Sequence, residues 1–246
     1  MASDLVLVTG GGTGIGFGIA QALVDSGYRV LIAGRREAVL EEAVAALGDQ
    51  ASWVAHDLDR LEAAAGFVAR CESAHGPIAA LVNNAGRHFK APTVSHPLAE
   101  FAAVLHTNVT AVFALTQAVA ARMLERRNGS IVMISSMTSQ VGLPEVAAYA
   151  SSKAALLGLA RTCAVEWGGA GVRVNVVCPG FVETEIFKRV ATADPKRIER
   201  VLARIPAGRP GKALEIGDAV KFLCSPDSRY VTGAVINVDG GYSIGF

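Results

Sequence analysis

The stretch AYASSKAAL at 148–156 places Tyr149 and Lys153 four residues apart. In a helix that spacing puts both side chains on one face, with Cβ atoms about 5–6 Å apart. An ammonium about 5 Å from a phenol, at an effective dielectric near 20, favours the phenolate by roughly 3 kcal/mol. That corresponds to a fall of about two pKa units from the ordinary value. Tyr149 is therefore expected to exchange protons near neutral pH, as a general acid or base must. Such a pair needs companions before it can do chemistry. A second feature lies near the start of the chain, where TGGGTGIG occupies 9–16. Gly10, Gly14 and Gly16 there would let a phosphate approach backbone N–H groups at the positive end of the helix that follows. The spacing is not the common G-x-G-x-x-G of dinucleotide sites.

These residues need elements to hold them. Short β-branched runs at 5–9, 29–33, 51–55, 79–83, 130–135, 172–177 and 234–238 read as seven strands, the first six apolar enough to be covered on both faces. Helical patterns fall between them, including about 15–25, 37–47, 60–75, 98–126 and 149–168. This alternation predicts a single α/β domain over 1–246, with a doubly wound parallel sheet. The glycine turn then opens the first helix, and NNAG at 83–86 ends the fourth strand, at the edge where open sheets bind ligands. The longest stretch without a clear pattern, about 179–213, carries four prolines and is expected to be irregular, with a substrate lid at 181–205.

Composition narrows the function. The 246 residues are 51% hydrophobic and 18% charged, enough for a substantial core. A formal charge of +1 gives no electrostatic grip on nucleic acid or an anionic membrane. Two long stretches lack formal charge, Leu5–Val24 and Phe101–Ala121, but the first is broken by glycines and the second carries six polar residues. Buried elements are expected there rather than membrane spans. Cys71, Cys163, Cys178 and Cys224 show no CxxC spacing, so reduced thiols, a cytoplasmic location and no metal site are expected. The opening MASDLVLVTG lacks the basic start of a signal peptide.

Taken together, TGxxxGxG, NNAG, an asparagine in the next long helix, a serine and YxxxK resemble the short-chain dehydrogenase/reductase family, in family order and over essentially the whole chain. The similarity is close to 3-oxoacyl carrier-protein reductases. It implies a Rossmann-type sheet of about seven strands, a nicotinamide cofactor and hydride transfer at a carbonyl or alcohol carbon. By the same resemblance Tyr149 is the acid/base, and Lys153 its partner on the nicotinamide ribose. Ser136, 13 residues before Tyr149, binds the substrate oxygen, with Ser135 and Ser139 as its rivals in the sequence. Asn108 holds a water that feeds the proton relay. Thr13 and Ile15 join the three glycines around the pyrophosphate, and Asp57 with Leu58 meets the adenine. Asn83 steadies the sheet, while Asn84, Ala85 and Gly86 run beside the cofactor. CPGFVET matches the family's PG motif, with Pro179 and Gly180 among the cofactor-binding residues and Val182 and Thr184 holding the nicotinamide carboxamide. Arg87, His88, Gln140, Glu145, Phe181 and Phe187 are expected to line the substrate pocket.

The acid that would bind the adenosine ribose belongs just after the second strand. Gly34 stands there, followed by Arg35 and Arg36. Glycine leaves room for a 2′-phosphate, and a guanidinium offers it a matched fork of donors. NADPH/NADP+ is therefore the expected cofactor, although the turn carries Thr13 where many NADP-dependent members have a basic residue. The expected activity is a ketone or 3-oxoacyl reductase acting on a small-molecule carbonyl. The other readings are an NADP-sensing or scaffolding protein and an epimerase or dehydratase. Carrier-protein docking would use basic residues at 127 and 170, where the chain has Arg127 and Ala170. The resemblance also implies a homotetramer, paired through the 98–126 and 149–168 helices with GGYSIGF at another contact.

Overall fold

The computed structural model describes residues 4–245. The side chains of Ile186, Val190, Ala191, Ala193 and Arg197, within the expected lid, lie outside what is described, as does Phe246 of the expected C-terminal contact. Seven strands form one parallel sheet in the order β3-β2-β1-β4-β5-β6-β7. They are β1 (Leu5–Thr9), β2 (Arg29–Gly34), β3 (Ala51–Ala55), β4 (Ile78–Asn83), β5 (Gly129–Ile134), β6 (Val172–Pro179) and β7 (Val235–Val238). The chain winds outward through β1, β2 and β3, then returns to lay β4 on the other side of β1. That reversal makes the β1/β4 crevice the topological switch point, where sheets of this kind bind ligands.

The described helices are α1 (Gly14–Val24), α2 (Glu37–Leu47), α3 (Ala64–His75), α4 (Leu98–Leu105), α5 (Val112–Arg126), α6 (Ala147–Trp167), α7 (Glu185–Ala193), α8 (Pro195–Arg204) and α9 (Ala213–Cys224). The two-residue period of each strand divides its side chains between two cores. Leu5, Leu7, Leu31, Leu81, Ile131, Val174 and Val176 face α3, α5 and α6, where Phe67, Leu115, Met123 and Leu156 complete one layer. Val6, Val8, Val30, Ile32, Val82, Val132 and Val177 face the other layer with Ile19, Leu23, Leu40, Val220 and Leu223 of α1, α2 and α9.

Three expectations about elements need correction. β3 is only half-buried along its length, because it is an edge strand with one neighbour and incomplete cover. The 179–213 stretch is largely helical: Thr184 accepts the Phe187 N–H at 3.3 Å to start α7, and Pro195 opens α8. Proline suits the first turn of a helix, where its missing N–H is no loss. Pro179 ends β6, and Pro195, Pro206 and Pro210 stand at or between the ends of α8 and α9, so the four prolines mark element boundaries rather than an absence of structure.

The apolar 98–126 run is long and apolar enough, by length and composition, to cross a membrane. Here Val104, Ala111, Val112, Leu115, Val119 and Met123 are buried, most of them against the sheet. The run is not one regular helix. Residues His106–Ala111 form a wider π turn between α4 and α5, with Asn108 buried inside it. Such turns commonly mark functional positions in helices.

Candidate active site

At the end of β1 the chain turns through Gly10 (φ 65°) and Gly14 (φ 55°), left-handed conformations that disfavour any residue with a Cβ. Close approach constrains Gly16 as well, where an added Cβ would lie 2.1 Å from the Gly10 carbonyl oxygen. Asn84 braces the turn from β4, its side-chain amide donating to the Thr9 and Gly10 carbonyls at 3.0 and 3.2 Å. The Thr9 hydroxyl in turn accepts the Asn84 and Ala85 N–H groups at 3.0 and 3.1 Å. Thr13 precedes α1 without capping it through its side chain, and no acidic residue stands in the first turn. The first amides of α1 are left to a ligand, and their partial positive charge suits a phosphate. A Cβ on Gly14 would come within 3.5 Å of the Thr184 methyl, so the 179–184 segment faces the turn across this opening. Val182 is buried and bridges Gly211, while Pro179 ends β6 and the Gly180 N–H donates to Val238 at 3.0 Å. This backbone fits a dinucleotide, and a Cβ at either Gly10 or Gly16 would crowd it.

Beside this opening α6 carries Tyr149 and Lys153 on one face, as their spacing predicts. The Lys153 ammonium is buried, lies 5.6 Å from the centre of the Tyr149 ring and donates to the Ile134 carbonyl at 2.8 Å. Burial pushes its pKa down to about 8. The expected fall in the Tyr149 pKa is not found. Burial raises it above the ordinary value, and a hydrogen bond with Ser136 opposes that only in part. Desolvation disfavours both charged forms, and it outweighs the attraction inferred from spacing alone.

The serines at the end of β5 divide cleanly. The buried Ser135 hydroxyl donates to the Lys153 carbonyl at 2.7 Å, a contact that ties β5 to α6. Ser136 accepts the Thr138 N–H on its hydroxyl at 3.2 Å, and its side chain acts to lower the Tyr149 pKa. Ser139 donates to the Ser136 carbonyl at 2.6 Å. Of the three serines, only Ser136 acts on the tyrosine, opposing the effect of its burial.

Asn108 closes the group. Its amide donates to the Arg87 carbonyl and to the Ser152 hydroxyl, both at 2.9 Å, and its Oδ1 accepts the Arg87 N–H at 2.7 Å. Ser152 donates in turn to the Tyr149 carbonyl at 2.7 Å. A Cβ on Gly86 would lie 3.1 Å from Asn108 Oδ1 and 3.6 Å from the Lys153 ammonium, so Gly86 permits the close approach. The sequence reading passed over Ser152 and Thr9, although both stand inside motifs it had picked out; their small hydroxyls serve backbone groups, which no spacing rule detects.

The remaining expected residues scatter more. Asn83 donates to the buried Thr116 hydroxyl at 2.9 Å, joining β4 to α5. Asp57 accepts the Asp59 N–H at 3.2 Å in the loop after β3, and Leu58 packs on the core. Arg35 and Arg36 are exposed at the start of α2, and neither forms a salt bridge among the described residues. His88 packs on Tyr149 with ring centres 4.6 Å apart. The Arg87 side chain instead pairs with Glu100 on α4. Gln140 exchanges amide hydrogen bonds with Asn237 of β7, at 2.7 and 3.2 Å. Glu145 is exposed, with its carbonyl accepting from Ala91 at 3.0 Å. Phe181 packs with Tyr242, Met137 and Ile205 beneath α8, and Phe187 is half-buried on α7.

Residues 10–243 match a family model described as enoyl-(acyl carrier protein) reductase. The chain belongs to the short-chain dehydrogenase/reductase family. It is an oxidoreductase of that family by its relatives. A 2-(S)-hydroxypropyl-CoM dehydrogenase 2 of Xanthobacter autotrophicus, named as inactive, is 39% identical over 91% of this chain and 98% of its own length. Gluconate 5-dehydrogenase of Gluconobacter oxydans is 37% identical, covering 97% of this chain and 94% of its own. A 3-oxoacyl-[acyl-carrier-protein] reductase of Thermotoga maritima is 37% identical over 99% of each. Among solved structures, a variant of actinorhodin polyketide ketoreductase with NADPH superposes with a TM-score of 0.93, at 33% identity over 98% of both chains.

Proposed function

We propose that the protein is an NADP(H)-dependent reductase of ketones, working in reverse on secondary alcohols. The observation that carries this reading is the convergence of Ser136, Tyr149, Lys153 and Asn108 beside the glycine turn at the switch point. Gly10, Thr13, Gly14, Ile15 and Gly16 would hold the pyrophosphate, with Asp57 and Leu58 at the adenine. Asn84, Ala85, Gly86, Pro179, Gly180, Val182 and Thr184 would hold the nicotinamide end, and Lys153 its ribose. When bound, the reduced cofactor supplies the hydride that the carbonyl carbon accepts. Ser136 donates a hydrogen bond to the carbonyl oxygen as negative charge gathers there. Tyr149, kept protonated by its burial, gives that oxygen a proton. Solvent reaching Lys153 past Asn108 then restores the proton.

His88, Phe181, Phe187 and the 181–205 lid would enclose the substrate, with Gln140 and Glu145 farther out. A free ketone suits the site better than an acyl carrier protein. The Arg127 guanidinium donates to the Gly169 carbonyl at 3.0 Å, next to Ala170, so one expected docking cation is tied down and the other is missing. Because one relative is named inactive, turnover is the deciding measurement. Consumption of NADPH with a panel of ketones supports the reading, and binding of NADPH without turnover of any carbonyl favours the sensing alternative.

Cofactor choice gives a sharper test. An Arg–phosphate contact contributes about 1.5–3 kcal/mol net, so Arg35→Ala is expected to weaken NADPH roughly 10- to 150-fold and leave NADH nearly unchanged. At Gly34 an added Cβ meets only the Leu40 side chain, no closer than 3.4 Å, so Gly34→Asp is sterically tolerated. Its carboxylate would repel a 2′-phosphate and accept from a free ribose diol, raising NADH affinity. The measurement is kcat/KM for both cofactors in the wild type and the two variants. A wild type that prefers NADH, or an Arg35→Ala variant that loses both cofactors equally, overturns the assignment.

We also propose a homotetramer. Phe113 and Val165 are exposed on α5 and α6, beside a groove of about 390 Å³ that Leu124, Leu159 and Trp167 help to line. Ile244, near the C-terminus, is exposed as well. Sedimentation is expected to give a tetramer at micromolar concentration, and a monomer would overturn this. The four cysteines are free and suit a reducing compartment, for which we propose the cytoplasm.

A further inference from the structure

The segment that leaves β4 beyond Gly86 is pinned at both ends. Arg87 bonds to the Asn108 side chain through both its N–H and its carbonyl. Four residues later the Ala91 N–H donates to the Glu145 carbonyl at 3.0 Å. Glu145 itself is held at φ 66°, a left-handed conformation that a residue with a Cβ rarely adopts. Strain of this kind persists where the surroundings fix it and concentrates at functional sites. Between the two pins stands His88, tilted 49° against the Tyr149 ring.

Three of the other histidines have settled contacts. His56 stacks on Phe67, His96 meets the Pro97 carbonyl, and His106 meets the Asp59 carbonyl. No hydrogen bond within the protein engages either ring nitrogen of His88 among the described residues, and the residue is exposed, so a ligand can reach them. Partial burial, helped by the charge of Lys90, holds His88 below its ordinary pKa and therefore neutral at pH 7. A neutral imidazole carries one donor and one acceptor, which is what a hydroxyl can use in either sense.

We infer that His88 is a specificity-determining residue that reads a second oxygen of the substrate, on the carbon next to the reacting carbonyl. The preferred substrates are then α-hydroxyketones, and in reverse the corresponding vicinal diols. This rests on the reading above, in which Ser136 and Tyr149 hold the reacting oxygen. The His88 ring centre lies 4.6 Å from that of Tyr149, so a substrate whose reacting oxygen sits at the Tyr149 hydroxyl would bring its adjacent carbon nearest to the imidazole. A hydroxyl there could hydrogen-bond the imidazole, whereas an alkyl group has no donor or acceptor to offer it.

Hydroxyacetone and butanone form a matched pair, because a methyl replaces the hydroxyl at similar size. The experiment measures kcat/KM for both, with the better nicotinamide cofactor, in the wild type, His88→Phe and His88→Asn. Phenylalanine keeps an aromatic ring against Tyr149 but has no ring nitrogen; asparagine keeps a donor and an acceptor without the ring. His88→Phe is expected to lower the hydroxyacetone-to-butanone ratio of kcat/KM about tenfold, the scale of one neutral hydrogen bond. His88→Asn is expected to retain most of the wild-type preference. An unchanged hydroxyacetone-to-butanone ratio in His88→Phe overturns the inference. So does an equal fall on both ketones in either variant, which would make His88 only a support for the Tyr149 ring. A wild type that turns over neither ketone, nor any other carbonyl, removes the reductase reading itself and this inference with it.

Discussion

Replacing Tyr149 by phenylalanine is expected to lower kcat for ketone reduction by at least about 10²-fold, the scale on which a positioned acid acts, with the fold and NADPH affinity retained. The substitution is local. Phenylalanine keeps the ring that packs on His88 and lies beneath the Lys153 ammonium, and loses only the hydroxyl. The neighbours on α6 that fix its position, Ala148, Ser152 and Lys153, are buried and unaltered. Burial raises the Tyr149 pKa, so at neutral pH the hydroxyl carries its proton and is ready to protonate an alkoxide. The sign of the pH dependence follows. Reduction needs the protonated phenol and should show no gain as pH rises. Alcohol oxidation needs the phenolate and should accelerate with pH. Steady-state rates in both directions, with cofactor binding followed by fluorescence, check both statements. Turnover retained in a Tyr149→Phe variant that still binds NADPH would remove Tyr149 from this role.

That prediction rests on an arrangement the sequence discloses unevenly. Strands β1, β2, β4, β5 and β6 stand where apolar, β-branched runs place them, because strands covered on both faces must be apolar throughout. β3 has a similar run but lies at the edge, and nothing in five residues reveals how many neighbours a strand will have. The pairing of Tyr149 with Lys153 was legible from helical spacing. The direction of the tyrosine's pKa shift was not, since spacing reports a nearby charge and says nothing of lost solvent. Asn108 stood out as a poor helix former in a run of good ones; the π turn that buries it depends on Arg87 and Ser152, 21 and 44 residues away. Prolines misdirected the reading of 179–213, because a proline marks the first turn of a helix as readily as a loop. Position in the chain names Gln140 and Arg87 as pocket residues but says nothing of their side chains, which turn to Asn237 and Glu100. Contacts between distant segments decide such orientations.

The adjacent serines at 135 and 136 permit a test in which each substitution controls for the other. Ser136→Ala is expected to lower kcat by about 10²–10³-fold, the usual effect of removing one donor to a developing oxyanion. Its side chain acts on Tyr149 and caps the short turn at 137–139, so the loss should fall on the reacting oxygen with a small structural effect besides. Ser135→Ala should do the reverse. That hydroxyl is buried and donates to the Lys153 carbonyl, so its removal costs about 1 kcal/mol of stability, or roughly 2–4 °C in Tm for a chain of this size. The acid, its lysine and the serine donor would all stay in place, so kcat should change by no more than about threefold, less than 1 kcal/mol. Paired measurements of kcat and Tm on the two variants separate the roles. If Ser135→Ala abolishes turnover while Ser136→Ala leaves it, the donor is the preceding serine and Tyr149 must be served from β5 by a different geometry. If neither affects turnover, Ser136 has no part in the chemistry, and the reacting oxygen must be held without a serine donor.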